Sequence, residues 1–211
     1  MFDMKSADVT ETKKPEATEF KEIKSETDIS LEEARIFWDN EFTSLENNGL
    51  YTSLENRVNE AGKSDGTWSG DVGNSNFTPS DLTDEGIAAK NKLSEFGLDG
   101  IEFKNGVPDF SKLALETVEI NMTGDRMTNY PQAYKAVASK WNNENKDERS
   151  DWTAREVKEW KQANDLSPHE CSDMKTIQFV PASVHSFVKH YGGVAECKAR
   201  DNILNGDEFD E

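Results

Sequence analysis

The sequence predicts an α+β fold, in which a mostly helical domain carries small sheets and closes with two short strands and a helix. Capping residues followed by apolar residues at helical spacing predict the helices. Alternating apolar and polar residues on either side of turn residues predict the strands. The C-terminal unit is also distinctive in composition, because it contains all three histidines of the chain, His169, His185 and His190.

Helix starts are predicted from capping residues and from prolines. The clearest is Thr153, which forms a capping box with Glu156 ahead of apolar Val157 and Trp160. Ahead of the C-terminal unit, four helices are predicted, over residues 30–50, 78–97, 129–141 and 153–164.

Extended structure is predicted in the middle of the chain. Residues 101–110 alternate apolar and polar side chains and turn at Asn105-Gly106, a dipeptide typical of tight hairpins. Residues 115–120 predict a further strand. Residues 61–76 are rich in glycine, serine and asparagine and predict a loop that Trp68 anchors.

The acidic charge of the chain is concentrated towards its ends. The 211 residues carry a net charge of −18 and are only 34% hydrophobic, so part of the chain is expected to be unpacked. Residues 101–200 hold 14 Lys and Arg against 15 Asp and Glu, a net of −1. The predicted division is a disordered acidic tail over 1–28, a helical segment over 29–65, one domain over 66–200 and an acidic tail over 201–211.

The acidic residues are expected to lie on the solvated surface and in the tails, although acidic flanks could also screen an active surface or attract a basic partner.

Two cysteines, Cys171 and Cys197, are too few for a disulfide scaffold and fit a reducing cytoplasm. No apolar run approaches the length of a membrane span. The N-terminus has no charged start followed by an apolar stretch, so no classical secretion signal is expected.

The histidine segment has the outline of a strand, a turn, a strand and a helix. Residues 168–171 would end the first strand, 176–180 would form the second, Pro181 would open the helix and Gly192-Gly193 would stop it. Such a unit brings the end of a strand and the face of a helix to one point. Hydrolysis of a phosphodiester with one metal ion needs the ion, a base and backbone-holding donors close together. Imidazole is a common ligand and a common base.

The histidine spacing leaves alternatives open. His185 and His190 are five residues apart, which on a regular helix separates them by about 140°. Both can face one ion if His190 lies in the turn after the helix. The histidines could instead be ordinary surface or core residues. A structural zinc site could combine His169 and one of the other two with Cys171 and Cys197, although no Cys-x-x-Cys knuckle is present.

Two sequence runs carry a family resemblance: His169-Glu170-Cys171-x-Asp173-Met174-Lys175-Thr176, and Val180-Pro181-x-x-x-His185-x-x-x-x-His190-x-Gly192-Gly193. Together they resemble the HNH/endonuclease VII (ββα-metal) nuclease domains found at the C-termini of bacterial polymorphic toxins. Upstream, Gly66 to Ser75 is similar to the Trp-x-Gly-x-Arg-Gly-Asn-Ser element that often precedes these domains. Phe103 to Phe110 and Met122 to Arg126 also match, so the resemblance covers about residues 66–198.

The resemblance implies a metal-dependent endonuclease, with His185 and His190 as metal ligands and His169 as base or ligand. Glu170 stands where one branch has a second histidine, so the resemblance leaves open which of His169 and Glu170 is the base. Pro168 replaces the usual tryptophan before the first histidine.

The resemblance also implies a cofactor, partners and a place of action. The cofactor would be a divalent ion, Mg²⁺, Mn²⁺, Zn²⁺ or Ni²⁺, and Arg126 and Lys175 are candidates for phosphate contacts. The partners would be a DNA or RNA substrate and a cognate immunity protein. The toxin would be delivered without a classical signal and would act in the cytoplasm of a target cell. The alternative is a non-catalytic acidic protein-binding module that keeps the scaffold, which the net charge, Pro168 and Val72 in place of the usual arginine would fit.

Overall fold

The structure is a computed structural model, and it describes residues 49–205. The predicted helix over 30–50 and the tail over 1–28 lie essentially outside the described residues, as does the end of the tail predicted from 201. Within the described part there are six helices: α1 Leu54–Ala61, α2 Asp84–Glu95, α3 Arg126–Asn143, α4 Ala154–Ala163, α5 Ala182–Phe187 and α6 Gly193–Asn205. The strands there are β1 Gly66–Trp68, β2 Asn76–Pro79, β3 Ile101–Lys104, β4 Val107–Pro108, β5 Glu116–Glu119, β6 Leu166–Glu170 and β7 Thr176–Pro181.

These strands form two small antiparallel sheets, one with the order β1-β2-β3-β4 and one with the order β5-β7-β6. The fold is therefore α+β, as predicted. The prediction of two strands and a helix at the C-terminal end is confirmed as well, since β6 and β7 pair directly and α5 follows β7.

Two hydrophobic clusters hold the sheets and helices together. The first lies between the three-stranded sheet and helices α3 and α4, and it includes Trp141 and Phe179. The second lies among the four-stranded sheet, α2 and α5, and it includes Phe77 and Val184. Strand β7 contributes to both, with Phe179 in the first cluster and Val180 in the second. The β6-β7-α5 unit is thus packed from both sides, which gives its polar residues a rigid support.

Several local predictions are confirmed. The hairpin of β3 and β4 turns at Asn105 and Gly106, whose φ angles of 53° and 76° are those of a type I′ turn. Thr153 and Glu156 form the capping box of α4, and Val157 is buried beneath it. The predicted strand over 115–120 is β5.

Three local predictions are wrong at their boundaries. Pro79 does not open a helix but ends β2 opposite Gly66, and α2 begins only after Thr83, whose side chain accepts a hydrogen bond from the Gly86 amide. The pairing of β1 with β2 outweighs the helix-start signal of the proline. The same pairing makes part of the predicted 61–76 loop a strand.

Helix α3 is the third boundary error. It begins at Arg126 rather than at Asn129, because the Asp125 side chain caps it by accepting from the Met127 amide. Pro131 therefore lies inside the helix, where its missing N–H removes one backbone hydrogen bond.

Contacts cross the predicted division at residue 65. Arg57 of α1 is fully buried and donates from Nε to the Asn105 carbonyl at 2.9 Å. The buried carboxylate of Glu196 in α6 accepts from the Tyr51 and Thr52 amides at 2.7 and 3.0 Å. Residues 51–61 thus pack on the same body as residues 66–205, while the predicted domain bounds themselves stay a prediction. None of the described helices has the length and apolar content to cross a membrane.

Candidate active site

The turn between β6 and β7 brings two candidate residues, His169 and Glu170, to the end of a strand. The Cys171 amide donates to the Thr176 carbonyl at 2.9 Å, and the Asp173 carboxylate accepts from the Lys175 and Thr176 amides at 3.1 and 2.9 Å. The role of the Asp173 carboxylate is therefore to stabilise the turn between β6 and β7.

The three histidines converge on one point. Nδ1 of His169, on β6, lies 3.3 Å from Nε2 of His185, on α5, and 3.3 Å from Nε2 of His190. All three nitrogen atoms lie within 4.8 Å of one another. Helix α5 ends at Phe187, so His190 lies beyond it, as the five-residue spacing requires for a shared focus. Within residues 49–205 this is the one group of three or more potential metal ligands found to converge in this way.

Burial keeps these imidazoles neutral. His169 is 3% exposed, and its pKa lies well below the usual value because of burial and, secondarily, the neighbouring His190 and His185. Burial, with His190 and Arg126 nearby, lowers the pKa of His185 to about 3. Burial also lowers the pKa of His190, against the opposing effect of its hydrogen bond to Val188. Neutral imidazole is the form that binds a metal ion.

The hydrogen-bond arrangement leaves lone pairs at the centre of the cluster. Nδ1 of His190 is 2.9 Å from the Val188 carbonyl, an oxygen that can only accept, so Nδ1 carries the proton and Nε2 presents a lone pair. Nδ1 of His169 faces two nitrogen atoms but carries at most one proton. The three nitrogens therefore cannot all be paired as hydrogen-bond donor and acceptor with one another.

The donor set fits a divalent metal ion. Bonds of 2.0–2.1 Å from zinc to imidazole nitrogen in a tetrahedral site separate the nitrogens by about 3.3–3.4 Å. The two closest N···N distances, 3.3 Å each, agree with that spacing. The Val188 carbonyl would orient His190 in the way that outer partners commonly orient metal-binding histidines.

Phe110 packs behind the cluster. Its ring centroid lies 4.9, 5.8 and 5.5 Å from those of His169, His185 and His190, and its side chain is 1% exposed. One buried aromatic ring thus contacts and supports all three imidazoles.

Glu170 is buried beside the cluster and is held by helix α3. Its side chain is 5% exposed, with Oε2 3.1 Å from Nε of Arg126 and Oε1 3.2 Å from Nδ2 of Asn129. Arg126 and Asn129 lie three residues apart and so share one face of α3. The Arg126 side chain is 64% exposed, and its remaining guanidinium donors are available to a ligand.

A cavity of about 700 Å³ opens over these residues and is lined by the three histidines. Its charged lining residues are Glu60, Asp125, Arg126, Glu170, Lys189 and Lys198. Gly192 also lines it and lies so close to β6 that a Cβ there would come within 2.6 Å of the Glu170 carbonyl oxygen. Glycine is therefore required where the chain passes from His190 into α6.

Lys175 and the cysteines lie away from this focus. Lys175 forms an ion pair with Glu119 at 2.9 Å and is not among the residues that line the cavity, so its phosphate contact stays a prediction. Cys171 and Cys197 are both free thiols, and neither belongs to the converging group. Cys197 is in the first hydrophobic cluster, and burial, with Asp173 and Asp109 nearby, raises the pKa of Cys171 to about 12.

The two departures from the family pattern are accommodated. Pro168 lies in β6, an edge strand that pairs with β7 alone, where a missing N–H is tolerated. Val72 is 40% exposed and does not line the cavity.

Sequence reasoning missed four residues around the site: Phe110, Asn129, Lys189 and Lys198. Lys189 had a signal, since it directly precedes His190. Asn129 had one as well, since it follows Arg126 at helical spacing, but the helix was predicted to start there. Phe110 had a signal too, since it ends the Phe103 to Phe110 run that matches the family, but nothing in the sequence pattern singles out Lys198.

Residues 100–192 match the family model of the DNase/tRNase domain of colicin-like bacteriocins. The matched segment begins at the β3-β4 hairpin and ends after His190, so it contains Phe110, Arg126, Glu170 and all three histidines. The match confirms the predicted resemblance to a nuclease domain of bacterial toxins. A comparison with curated proteins found no match for the chain.

Proposed function

We propose that the chain is a metal-dependent endonuclease of the HNH type that hydrolyses phosphodiester bonds in DNA or RNA. The observation that carries the proposal is the convergence of three neutral imidazoles, one buried and two half-buried, in a cavity that Arg126 and Glu170 also line. The family match of the same segment to toxin nuclease domains supports it independently.

The geometry favours His169, His185 and His190 as the metal ligands. Nδ1 of His169 faces the nitrogens of the other two, so we assign His169 as a ligand and not as the base. A divalent ion bound there would polarise the phosphodiester and stabilise the leaving oxygen.

Glu170 is then the candidate base. Its carboxylate lines the same cavity, and each oxygen receives one hydrogen bond, which leaves further lone pairs to accept a proton from the attacking water. Arg126, held by Glu170 through Nε, can direct its remaining donors to a non-bridging phosphate oxygen. Lys189 and Lys198 add positive charge to the same cavity.

The charge near the cavity is compatible with the binding of a polyanion by an acidic chain. Three cations (Arg126, Lys189 and Lys198) and three acids (Glu60, Asp125 and Glu170) line the cavity, a balance of zero before any ion binds. A divalent ion would make it +2. The net charge of −18 is a property of the whole chain and does not describe the cavity.

The test is cleavage of supercoiled plasmid and of total RNA by the folded protein with Mg²⁺, Mn²⁺, Zn²⁺ or Ni²⁺, and with a chelator. We expect cleavage with at least one ion and none with the chelator. Folded protein that cleaves neither substrate with any ion would overturn the proposal. If that protein also bound no ion, the non-catalytic binding module would be the better description.

We also propose delivery into a target bacterium and a cognate immunity protein, both from the likeness to colicin-like toxin domains. Expression of the chain in a bacterial cytoplasm should then stop growth, whereas expression of His185→Ala should be tolerated. Small open reading frames near the gene can be co-expressed with it one at a time, and the one that encodes the immunity protein should restore growth. Equal growth with both variants would contradict a toxic role.

A further inference from the structure

A buried amide lies behind the candidate base. Asn129 is fully buried and does not line the cavity, yet its Nδ2 lies 3.2 Å from Oε1 of Glu170. We propose that Asn129 is a positioning residue, which fixes the Glu170 carboxylate for proton transfer without touching the substrate. The inference rests on the proposed nuclease function and adds a residue to it.

The orientation of the Asn129 amide is determined by Thr123. Oδ1 of Asn129 accepts from the Thr123 amide at 2.9 Å and from the Thr123 hydroxyl at 3.1 Å. Nδ2 donates to the Thr123 carbonyl at 2.9 Å and to Glu170. A flipped amide would turn its NH₂ group towards the Thr123 N–H and its oxygen towards two acceptors. Only one orientation satisfies the network, and it directs a donor at Glu170.

Asn129 and Arg126 act on different oxygens of the carboxylate. Arg126 is largely exposed, and a long side chain in solvent is a poor anchor by itself because it retains rotamer freedom. Asn129 is rigid and out of contact with solvent. Without its donor, Glu170 would keep a single mobile partner, and the carboxylate would turn away from the place of the attacking water.

The consequence is a specific kinetic signature. Because Asn129 does not reach the cavity, its loss should lower kcat and leave KM nearly unchanged. A residue that only supports folding would instead lower the amount of active protein and would act independently of Glu170.

The decisive variant is Asn129→Asp, which keeps the side-chain size and the oxygen that serves Thr123 but replaces the donor with an acceptor. We expect kcat to fall at least tenfold with KM within twofold. Gln132→Ala is the matched control, because Gln132 lies one turn further along α3 and donates to the Asn121 and Thr128 carbonyls without touching Glu170. Its kcat should stay within twofold of the wild type.

Asn129→Asp in a Glu170→Ala background measures the energetic coupling between Asn129 and Glu170. There, Asn129→Asp should change the residual rate by less than twofold, since the carboxylate that it positions is gone. A wild-type kcat in folded Asn129→Asp, or an undiminished loss in the Glu170→Ala background, would overturn the inference. An inactive wild type would instead overturn the proposed function, and the positioning role with it.

A readout independent of activity is the Asn129 side-chain NH₂ signal in the NMR spectrum of metal-free protein. Both of its protons are donated and buried, so they should exchange slowly with D₂O. Glu170→Ala should shift this signal and speed the exchange. Gln132→Ala should leave it in place. Fast exchange in the wild type would directly contradict the proposed role of Asn129 as a positioning residue.

Discussion

The histidine cluster and the buried carboxylate of Glu196 are both polar sites inside the protein, and they differ in how their hydrogen-bonding groups are satisfied. Glu196 is fully buried and accepts from the Tyr51 and Thr52 amides and from the Thr52 hydroxyl. The histidines instead present lone pairs to one another, with too few protons to share. Satisfaction from within the chain is expected of a structural group, whereas the incomplete satisfaction of the histidine nitrogens is one reason for proposing a metal ion as their ligand.

The largest effect is expected from His185→Ala, which removes one imidazole from the cluster. Nuclease activity should fall at least about 100-fold, as expected for the loss of a metal ligand. Val184 and Val188 carry the packing of this region, so the free energy of unfolding without metal should change by about 1 kcal/mol or less. Rates from plasmid cleavage and metal-free denaturant unfolding measure the two quantities. A variant that unfolds, with a parent that needs no metal, would make His185 a core residue.

Glu196→Ala should show the opposite pattern. It leaves the Tyr51 and Thr52 amides without their acceptor and removes the charge that faces buried Arg57. The free energy of unfolding should fall by about 2–3 kcal/mol. Metal affinity of the folded fraction should be unchanged, which isothermal titration can measure. A large loss of metal affinity in Glu196→Ala would mean that Glu196 and the histidine cluster do not differ in role as proposed.

Metal binding should stabilise the wild type, and His185→Ala should reduce that gain. At a free ion concentration ten times the dissociation constant, the expected gain is about 1.4 kcal/mol. The check is the shift of the thermal midpoint on adding Zn²⁺, Ni²⁺ or Mn²⁺, reversed by a chelator. Glu196→Ala should show the same shift as the wild type, and equal shifts in all three proteins would mean that the ion binds elsewhere.

The smallest effect is expected at Glu116, another carboxylate satisfied from within the chain. Burial alone would raise its pKa, but hydrogen bonds from Lys140 and Trp141 outweigh burial and hold the pKa below the usual value. The stabilisation is therefore present above the unfolded pKa and is lost as the pH falls through the folded one.

Glu116→Gln keeps an acceptor for Trp141 and loses the charge opposite Lys140, which is 40% exposed. The cost should be below about 1 kcal/mol at pH 7 and should disappear below the folded pKa. Denaturant unfolding of both proteins across the acidic range measures it. A difference that grows as the pH falls would contradict the assignment.

Local signals predicted much of the site. The turn after His169 and the proline before α5 lie within one short segment and predict β6, β7 and the start of α5. The predicted stop of that helix at Gly192-Gly193 is wrong, because α5 ends at Phe187 and Gly193 begins α6. The five-residue spacing allows His185 and His190 to face one point if His190 lies beyond the helix, and it is found there.

The remaining features depend on contacts between distant parts of the chain. Asn129 contacts Glu170 across 41 positions of the chain, and Phe110 contacts His169 across 59, so no local sequence pattern records either contact. Pro79 was predicted to start a helix because its pairing with Gly66, which makes it part of a strand, cannot be read from the neighbouring sequence. Tertiary pairing overrides local propensity in both kinds of case.

The most direct test of the metal centre is anomalous diffraction from crystals of the wild-type protein soaked with Zn²⁺, Ni²⁺ or Mn²⁺. We expect one ion bound by Nδ1 of His169, Nε2 of His185 and Nε2 of His190, at about 2.0–2.1 Å for zinc. Crystals of His185→Ala should show a weaker peak or none at that position. An ion bound only by surface carboxylates, or well-ordered histidines with no ion at saturating concentration, would contradict the proposed metal centre.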